Sequence, residues 1–284
     1  QEAVSSVGPG SSASVGANFN IGIARGAVIE NAITGSGDDF LRGNSANNTL
    51  NGGAGFDSLL GEEGSDILIG GAGQDSLNGG GGFDFASYQT STFGVTANLS
   101  DRTQNTIDAA GDTYTSIEGL IGSNSPDLLI GDSGVNELRG LGGNDTLDGR
   151  GGADVMSGGL GDDQYNVDNV GDAISEALSE GRDTVFTSVQ YTLPSHVEDL
   201  AIAGTSSALN IYGNALANLL VGNIAQNTLD GGGGADTLIG QQGDDLYVID
   251  DIGDVIIENT GEGRDTIYTA ITFYQMGDNV EDFA

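Results

Sequence analysis

Oxygen-bearing residues recur through this chain every nine positions. The units 52–60, 61–69 and 70–78 each place an aspartate sixth and an apolar residue eighth. Three runs keep this register. Their sixth places hold Asp39, Asn48, Asp57, Asp66, Asp75 and Asp84, then Asp127, Asn136, Asp145, Asp154 and Asp163, then Asn218, Asn227, Asp236 and Asp245. Glycines cluster just before them, and Gly53, Gly55, Gly71, Gly73, Gly143, Gly152, Gly159, Gly161, Gly232 and Gly234 offer main-chain carbonyls beside the carboxylates. Such an all-oxygen set suits a hard divalent cation. Calcium accepts carbonyls and variable geometry more readily than magnesium, which keeps its water and demands an octahedron. Zinc and copper lack their preferred donors, because the chain has a single histidine, His196, and no cysteine.

A period of nine fits neither an amphipathic helix nor a plain alternating strand. It fits one short strand around the apolar eighth residue and one glycine turn, with two units closing an 18-residue coil. Stacked coils give the expected fold: all-β, a parallel β-roll or two-sheet solenoid with irregular inserts between three repeat runs. In that register, turns 18 residues apart face each other. The pairs with two carboxylates are Asp39–Asp57, Asp57–Asp75, Asp66–Asp84, Asp127–Asp145 and Asp145–Asp163. The mixed pairs are Asn48–Asp66, Asn136–Asp154, Asn218–Asp236 and Asn227–Asp245. Up to about nine calcium ions would fit between such turns, the mixed pairs binding more weakly.

Composition points the same way. Against 42 acidic residues stand 7 basic ones, all arginine, for a formal charge of −35. A compact body with that charge repels itself unless counter-ions enter it. Nucleic acid is a poor partner, since phosphate binding needs clustered lysine and arginine. No apolar stretch is long enough for a helical membrane span. The 50 glycines show no Gly-X-Y period, which excludes collagen. One leucine per nine residues is thin burial, so cation binding is expected to decide whether the chain folds.

The segments read as follows: 1–34, an N-terminal segment with cap strands at Phe19–Ile23 and Ala27–Ile29; 35–87, the first roll run; and 88–117, a strand and loop bulging from the stack around Val95, Ala97 and Leu99. Then come 118–166, the second run; 167–212, connecting strands; 213–248, the third run; and 249–284, a second copy of the connecting unit. That duplication is explicit. Gly161-Asp162-Asp163-Gln164-Tyr165 returns as Gly243-Asp244-Asp245-Leu246-Tyr247, Glu176 as Glu258, and Gly181-Arg182-Asp183-Thr184 as Gly263-Arg264-Asp265-Thr266. The second copy stops at Ala284 where the first runs on, and the chain begins without methionine or a signal-peptide pattern. A processed chain or a fragment of a longer polypeptide is expected.

Gly52-Gly53-Ala54-Gly55-Phe56-Asp57-Ser58-Leu59-Leu60 and Gly70-Gly71-Ala72-Gly73-Gln74-Asp75-Ser76-Leu77-Asn78 resemble the nonapeptide of the RTX (repeat-in-toxin) family of secreted bacterial calcium-binding proteins. The resemblance covers about residues 34–87, 118–166 and 213–248. It implies a parallel β-roll, calcium in the turns, type I export, and a chain that folds only outside the cell. The stretch from Asn18 to Ser36 resembles the lead-in to the roll in serralysin-like metalloproteases. The units at 43–48 and 131–136 depart from the glycine pattern.

No catalytic set accompanies the repeat. There is no zinc-binding His-Glu-x-x-His, no Gly-x-Ser-x-Gly turn, and no phosphate-cradling fingerprint. His196 reads as structural or exposed. The recurring Arg182-Asp183 and Arg264-Asp265 read as structural ion-pair or strand-edge residues, and the aromatics around them as added core. The leading expectation is a noncatalytic, calcium-folded structural module of a surface layer, sheath or adhesin. The alternative is the secretion and stability module of a larger secreted hydrolase, and an enzyme within these residues is the weakest reading. Self-association and a cell-surface polysaccharide are the partners this leaves open besides calcium.

Overall fold

A computed structural model describes residues 12–14, 20–22, 31–204 and 208–284. The chain divides into two units, Gln1–Asp154 and Val155–Ala284. Both are built from short parallel strands. In the typical coil, three residues form each strand and the middle one points inward, since alternate side chains leave a strand on opposite faces.

In the first unit, one sheet runs in order through Ser12–Ser14, Asn31–Ile33, Thr49–Gly55, Ile67–Gly73, Phe85–Ser87, Gly119–Ile121 and Glu137–Gly142. A second runs through Asn20–Gly22, Phe40–Arg42, Ser58–Glu63, Ser76–Gly81 and Thr113–Thr115, and a third through Thr96–Asn98, Leu128–Ile130 and Thr146–Asp148. Leu50 pairs with Leu68 and Leu59 with Leu77, so one coil is 18 residues as the spacing predicts. The eighth-place residues Leu41, Leu50, Leu59, Leu68, Leu77, Leu129, Leu138 and Leu147 are all fully buried. The expected cap strand at Phe19–Ile23 coincides with Asn20–Gly22, whereas Ala27–Ile29 lies outside the described residues.

The 88–117 segment differs from a simple bulge. Thr96–Asn98 pairs with Leu128–Ile130 at the start of one sheet, and Thr113–Thr115 pairs with Ser76–Asn78 at the end of another. Two short 3-10 turns, Arg102–Gln104 and Ile107–Ala109, join them. The insert therefore supplies coil strands itself.

The second unit repeats this behaviour. One sheet holds Gln164–Val167, Thr184–Thr187, Asp199–Ile202, Leu219–Val221, Thr237–Ile239 and Val255–Ile256, and another holds Tyr191–Thr192, Asn210–Tyr212, Thr228–Asp230, Leu246–Ile249, Thr266–Thr269 and Asp282–Phe283. Tyr165 pairs with Val185, Val185 with Leu200, and Leu200 with Leu220, each buried. The connecting segments thus continue the ladder. Length changes are absorbed in turns, which tolerate insertion, while the inward register of the strands is kept.

Candidate metal sites in the turns

The turns fall into two kinds. In the open kind, the second and fourth residues both have positive φ, as at Gly53 (96°) and Gly55 (141°) or Gly71 (96°) and Gly73 (159°). The pairs 62/64, 80/82, 141/143, 150/152, 159/161, 232/234 and 241/243 share this form. The fourth place is glycine in every open turn, whereas Glu62, Leu141, Arg150 and Gln241 take the second place at positive φ. A Cβ on Gly71 would lie 1.9 Å from the Gly53 carbonyl oxygen, and one on Gly73 would lie 1.6 Å from that of Gly55. These carbonyls face the next coil. Ladder bonds such as Ala54 N–H to Gly35 O (2.9 Å) use one lone pair of a carbonyl that has two.

Each open turn folds its sixth-place carboxylate back over its first glycine. A Cβ on Gly52 would sit 2.3 Å from Asp57 Oδ2, and one on Gly61 2.2 Å from Asp66 Oδ2. The other oxygen stitches coils together: Asp57 Oδ1 accepts the Asp39 N–H (2.7 Å), Asp66 that of Asn48 (2.6 Å), Asp75 that of Asp57 (2.8 Å) and Asp84 that of Asp66 (2.7 Å). Asp145, Asp154, Asp236 and Asp245 accept the N–H groups of Asp127, Asn136, Asn218 and Asn227 in the same way. The Oδ2 atoms of Asp57, Asp66, Asp75, Asp84, Asp236 and Asp245 are buried with no hydrogen-bond partner among the described residues. Burial raises all six carboxyls: Asp66, Asp75 and Asp236 to about 6, Asp245 to about 7, and Asp57 and Asp84 in the same direction. Backbone N–H donors offset this only in part. An anionic oxygen buried without a donor is costly, and a coordinated cation would relieve it. The donor set fits calcium.

The closed kind satisfies itself. At 43–48, 131–136, 213–218 and 222–227 the second-place N–H donates to the sixth-place asparagine Oδ1, each at 2.8 Å. The second-place side chain then accepts the fourth-place N–H, as Asn44 does from Ala46 (2.7 Å) and Asn214 from Leu216 (2.8 Å). Asparagine also has an NH2 to donate, and Asn136 and Asn218 give theirs to the carbonyls of Glu118 and Glu198 on the preceding coil (3.0 Å each). At 122–127 an aspartate closes the turn instead, Asp127 Oδ2 accepting the Ser123 N–H (2.5 Å) and Oδ1 that of Val95 (2.6 Å). Both oxygens of Asp127 are thereby engaged, unlike those of Asp57, Asp66, Asp75, Asp84, Asp236 and Asp245.

Several further residues take equivalent positions, all but Asp254 off the nine-residue period of the partners they serve. Asp112 Oδ1 accepts the Asp75 N–H (2.8 Å), and its Oδ2 accepts the hydroxyl of the buried Tyr88 (2.9 Å), which also meets Tyr114. Burial raises Asp112 to about 7. Glu118 Oε2 accepts the Asp84 N–H (2.9 Å), while Asp183, Asp254 and Asp265 serve Asp163, Asp236 and Asp245 (2.8, 3.0 and 2.8 Å). The triplets Asp112-Thr113-Tyr114, Asp183-Thr184-Val185 and Asp265-Thr266-Ile267 carry the repeat's Asp-x-apolar signal at altered spacing.

The glycines named from sequence all have positive φ. Asp145 belongs to the first unit and Asp163 to the second. Arg182 pairs with Asp199 (2.6 Å) and Arg264 with Asp282 (2.8 Å), as structural ion pairs. His196 is half-buried at positive φ (70°). Tyr165 and Tyr247 join the core, but Tyr268 and Phe273 are exposed. No helix among the described residues is long and apolar enough to cross a membrane.

A family model described as RTX calcium-binding nonapeptide repeat matches four segments, residues 29–59, 52–86, 130–165 and 212–247. No curated protein matches the chain.

Proposed function

The repeat runs of this chain belong to the RTX calcium-binding nonapeptide-repeat family, and on that premise we propose that it is an extracellular structural module whose open turns take up calcium and whose folding depends on that uptake. The observation that carries this reading is the stacked, buried Oδ2 atoms of Asp57, Asp66, Asp75 and Asp84, which have no donor among the described residues. Calcium supplies the positive charge and flexible oxygen coordination that these carboxylates lack. The residues that would hold it are the open-turn aspartates, with the carbonyls of Gly53, Gly55, Gly71, Gly73 and their equivalents. The closed turns are assigned no ion.

The chain's part is preorganisation. Left-handed glycines aim carbonyls along the stack, and in the folded coil the Oδ1 bonds fix each carboxylate's orientation. The module's task is mechanical, as a stiffening element of a surface layer, sheath or adhesin, and the supports are the repeated oxygen turns and the charge of −35. Binding energy that is also folding energy makes the fold conditional on the outside medium. Far-ultraviolet circular dichroism with calcium and with excess chelator tests it. A β spectrum that appears only with calcium is expected. An equally folded and equally stable chelated chain refutes the reading.

A further inference from the structure

The matched repeat ends at residue 247, yet the acidic architecture does not. Asp245, Glu258 and Asp265 bring one carboxylate oxygen each to within 4.8 Å of one another. Their exposures are 1%, 7% and 1%. Asp245 Oδ2 and Glu258 Oε2 have no hydrogen-bond partner among the described residues. The nearby arginine does not neutralise them, because Arg264 is turned outward onto Asp282 (2.8 Å).

The geometry here is not that of the nonapeptide turn. Glu258 follows Gly240, the first residue of an open turn, by 18 positions, and so stands where other coils place glycine. A Cβ on Gly240 would lie 2.2 Å from both Asp245 Oδ2 and the Tyr247 hydroxyl, so that side of the turn is already filled. The next coil answers with a longer arm. Its turn is longer too, placing Asp265 twenty residues after Asp245, where it accepts the Asp245 N–H (2.8 Å). Tyr247 donates its hydroxyl to Glu258 Oε1, which leaves Oε2 to the other two carboxylates.

We propose that Asp245, Glu258 and Asp265 form a further divalent-cation site of calcium type, built by the connecting unit and outside the nonapeptide pattern. It rests on the calcium reading above but adds ligands that reading does not contain. Three buried carboxylates at this separation converge on one point, and a cation there would satisfy the two oxygens that have no donor among the described residues. The first copy shares the tyrosine-held glutamate, although Glu176 is only half-buried and its neighbouring acids are not gathered as closely. Tyr165 donates to Glu176 Oε1, Gly158 N–H donates to the same oxygen (3.0 Å), and Glu176 Oε2 and Asp183 Oδ2 lack a partner among the described residues. A tyrosine-fixed glutamate has thus been laid twice against the last open turn of a run, which a chance cluster would not repeat.

Calorimetric calcium titration of the wild-type chain and of Glu258→Gln tests the site. The variant should bind one ion fewer per chain. Terbium in place of calcium gives an independent reading, since Tyr247 lies against the site and would sensitise its emission. Tyr247→Phe removes the hydroxyl that fixes Glu258, so calcium affinity at this site and tyrosine-sensitised emission should both fall. A folded Glu258→Gln with an unchanged count overturns the proposal. If that variant does not fold, undiminished emission from Tyr247→Phe overturns it. Asp57→Asn separates the two readings. Loss of ions there but not in Glu258→Gln removes this site alone, and a wild-type chain that binds no calcium removes both.

Discussion

Asp66→Asn should change the sign of its effect with the ion supply. Asp66 is fully buried, its Oδ1 accepts the Asn48 N–H (2.6 Å), and its Oδ2 lies over Gly61 without a donor among the described residues. Asparagine keeps the accepting oxygen and removes the charge. Without calcium, burial holds this carboxyl at about 6 against an ordinary 3.8. At 1.36 kcal/mol per unit, ionising it at neutral pH costs roughly 3 kcal/mol. Water near the turn screens this, and about 1–2 kcal/mol is the expected relief from the substitution. With calcium, the same change empties a site between the 61–66 and 79–84 turns. At about 100 times Kd, a site contributes about 2.7 kcal/mol, so the variant should end about 1–2 kcal/mol less stable than wild type.

Two titrations followed by circular dichroism read this out. In chelator, trimethylamine N-oxide drives folding by strengthening burial, and Asp66→Asn should fold at a lower concentration than wild type. In calcium, urea should unfold the variant at a lower midpoint. A shift of the same sign in both buffers refutes the reasoning, because then Asp66 is either not strained without the ion or not used with it.

Other expectations are simpler. The chelated chain should gain structure as pH falls: carboxyls raised to about 6–7 bind protons in the folded state that the unfolded chain releases near 4, so their stability is complete below about 4 and is lost as pH rises through about 7. An acid titration in chelator that shows only loss of structure from pH 7 to 4 contradicts this. Gly73→Ala should prevent coil stacking, since its Cβ would meet the Gly55 carbonyl at 1.6 Å, whereas Gly261→Ala at φ 83° has open space and should cost only about 1–2 kcal/mol. Thermal melts in calcium compare the two, and equal losses would discard the backbone-contact account.

The ladder was legible because its physics is local. An apolar residue every nine positions has to find one inward face, and that register alone sets Leu50 on Leu68 and Leu59 on Leu77. What escaped was set by distance along the chain. Asp112 joins the Asp75 column only after 37 residues, across an insert whose own strands belong to the stack. Asp183 and Asp265 stand 20 residues from their partners, off the period although in the ladder. The two turn kinds also escaped. Asparagine in sixth place reads as a weaker ligand, yet its use of both oxygen and amide within and behind its own turn appears only once the coil is closed.

The position of the closed turns then carries meaning. Turns 122–127 and 131–136 open the second run, and 213–218 and 222–227 open the third, one for each end of the first coil. A turn at the start of a run faces an irregular predecessor, and an oxygen site between unlike turns would lack half its ligands. Asparagine meets that boundary with what the predecessor can offer, a backbone carbonyl, by donating an amide hydrogen that aspartate does not have. At the far end of the open turns the partner is again a donor or a longer acid: Tyr88 on Asp112 in the first unit, and the tyrosine-held Glu176 and Glu258 in the second. The open turns therefore lie between closed turns at one end and tyrosine-held acids at the other. Exchanging which residue type sits sixth should move those ends along the stack without altering the leucine ladder that both kinds of turn share.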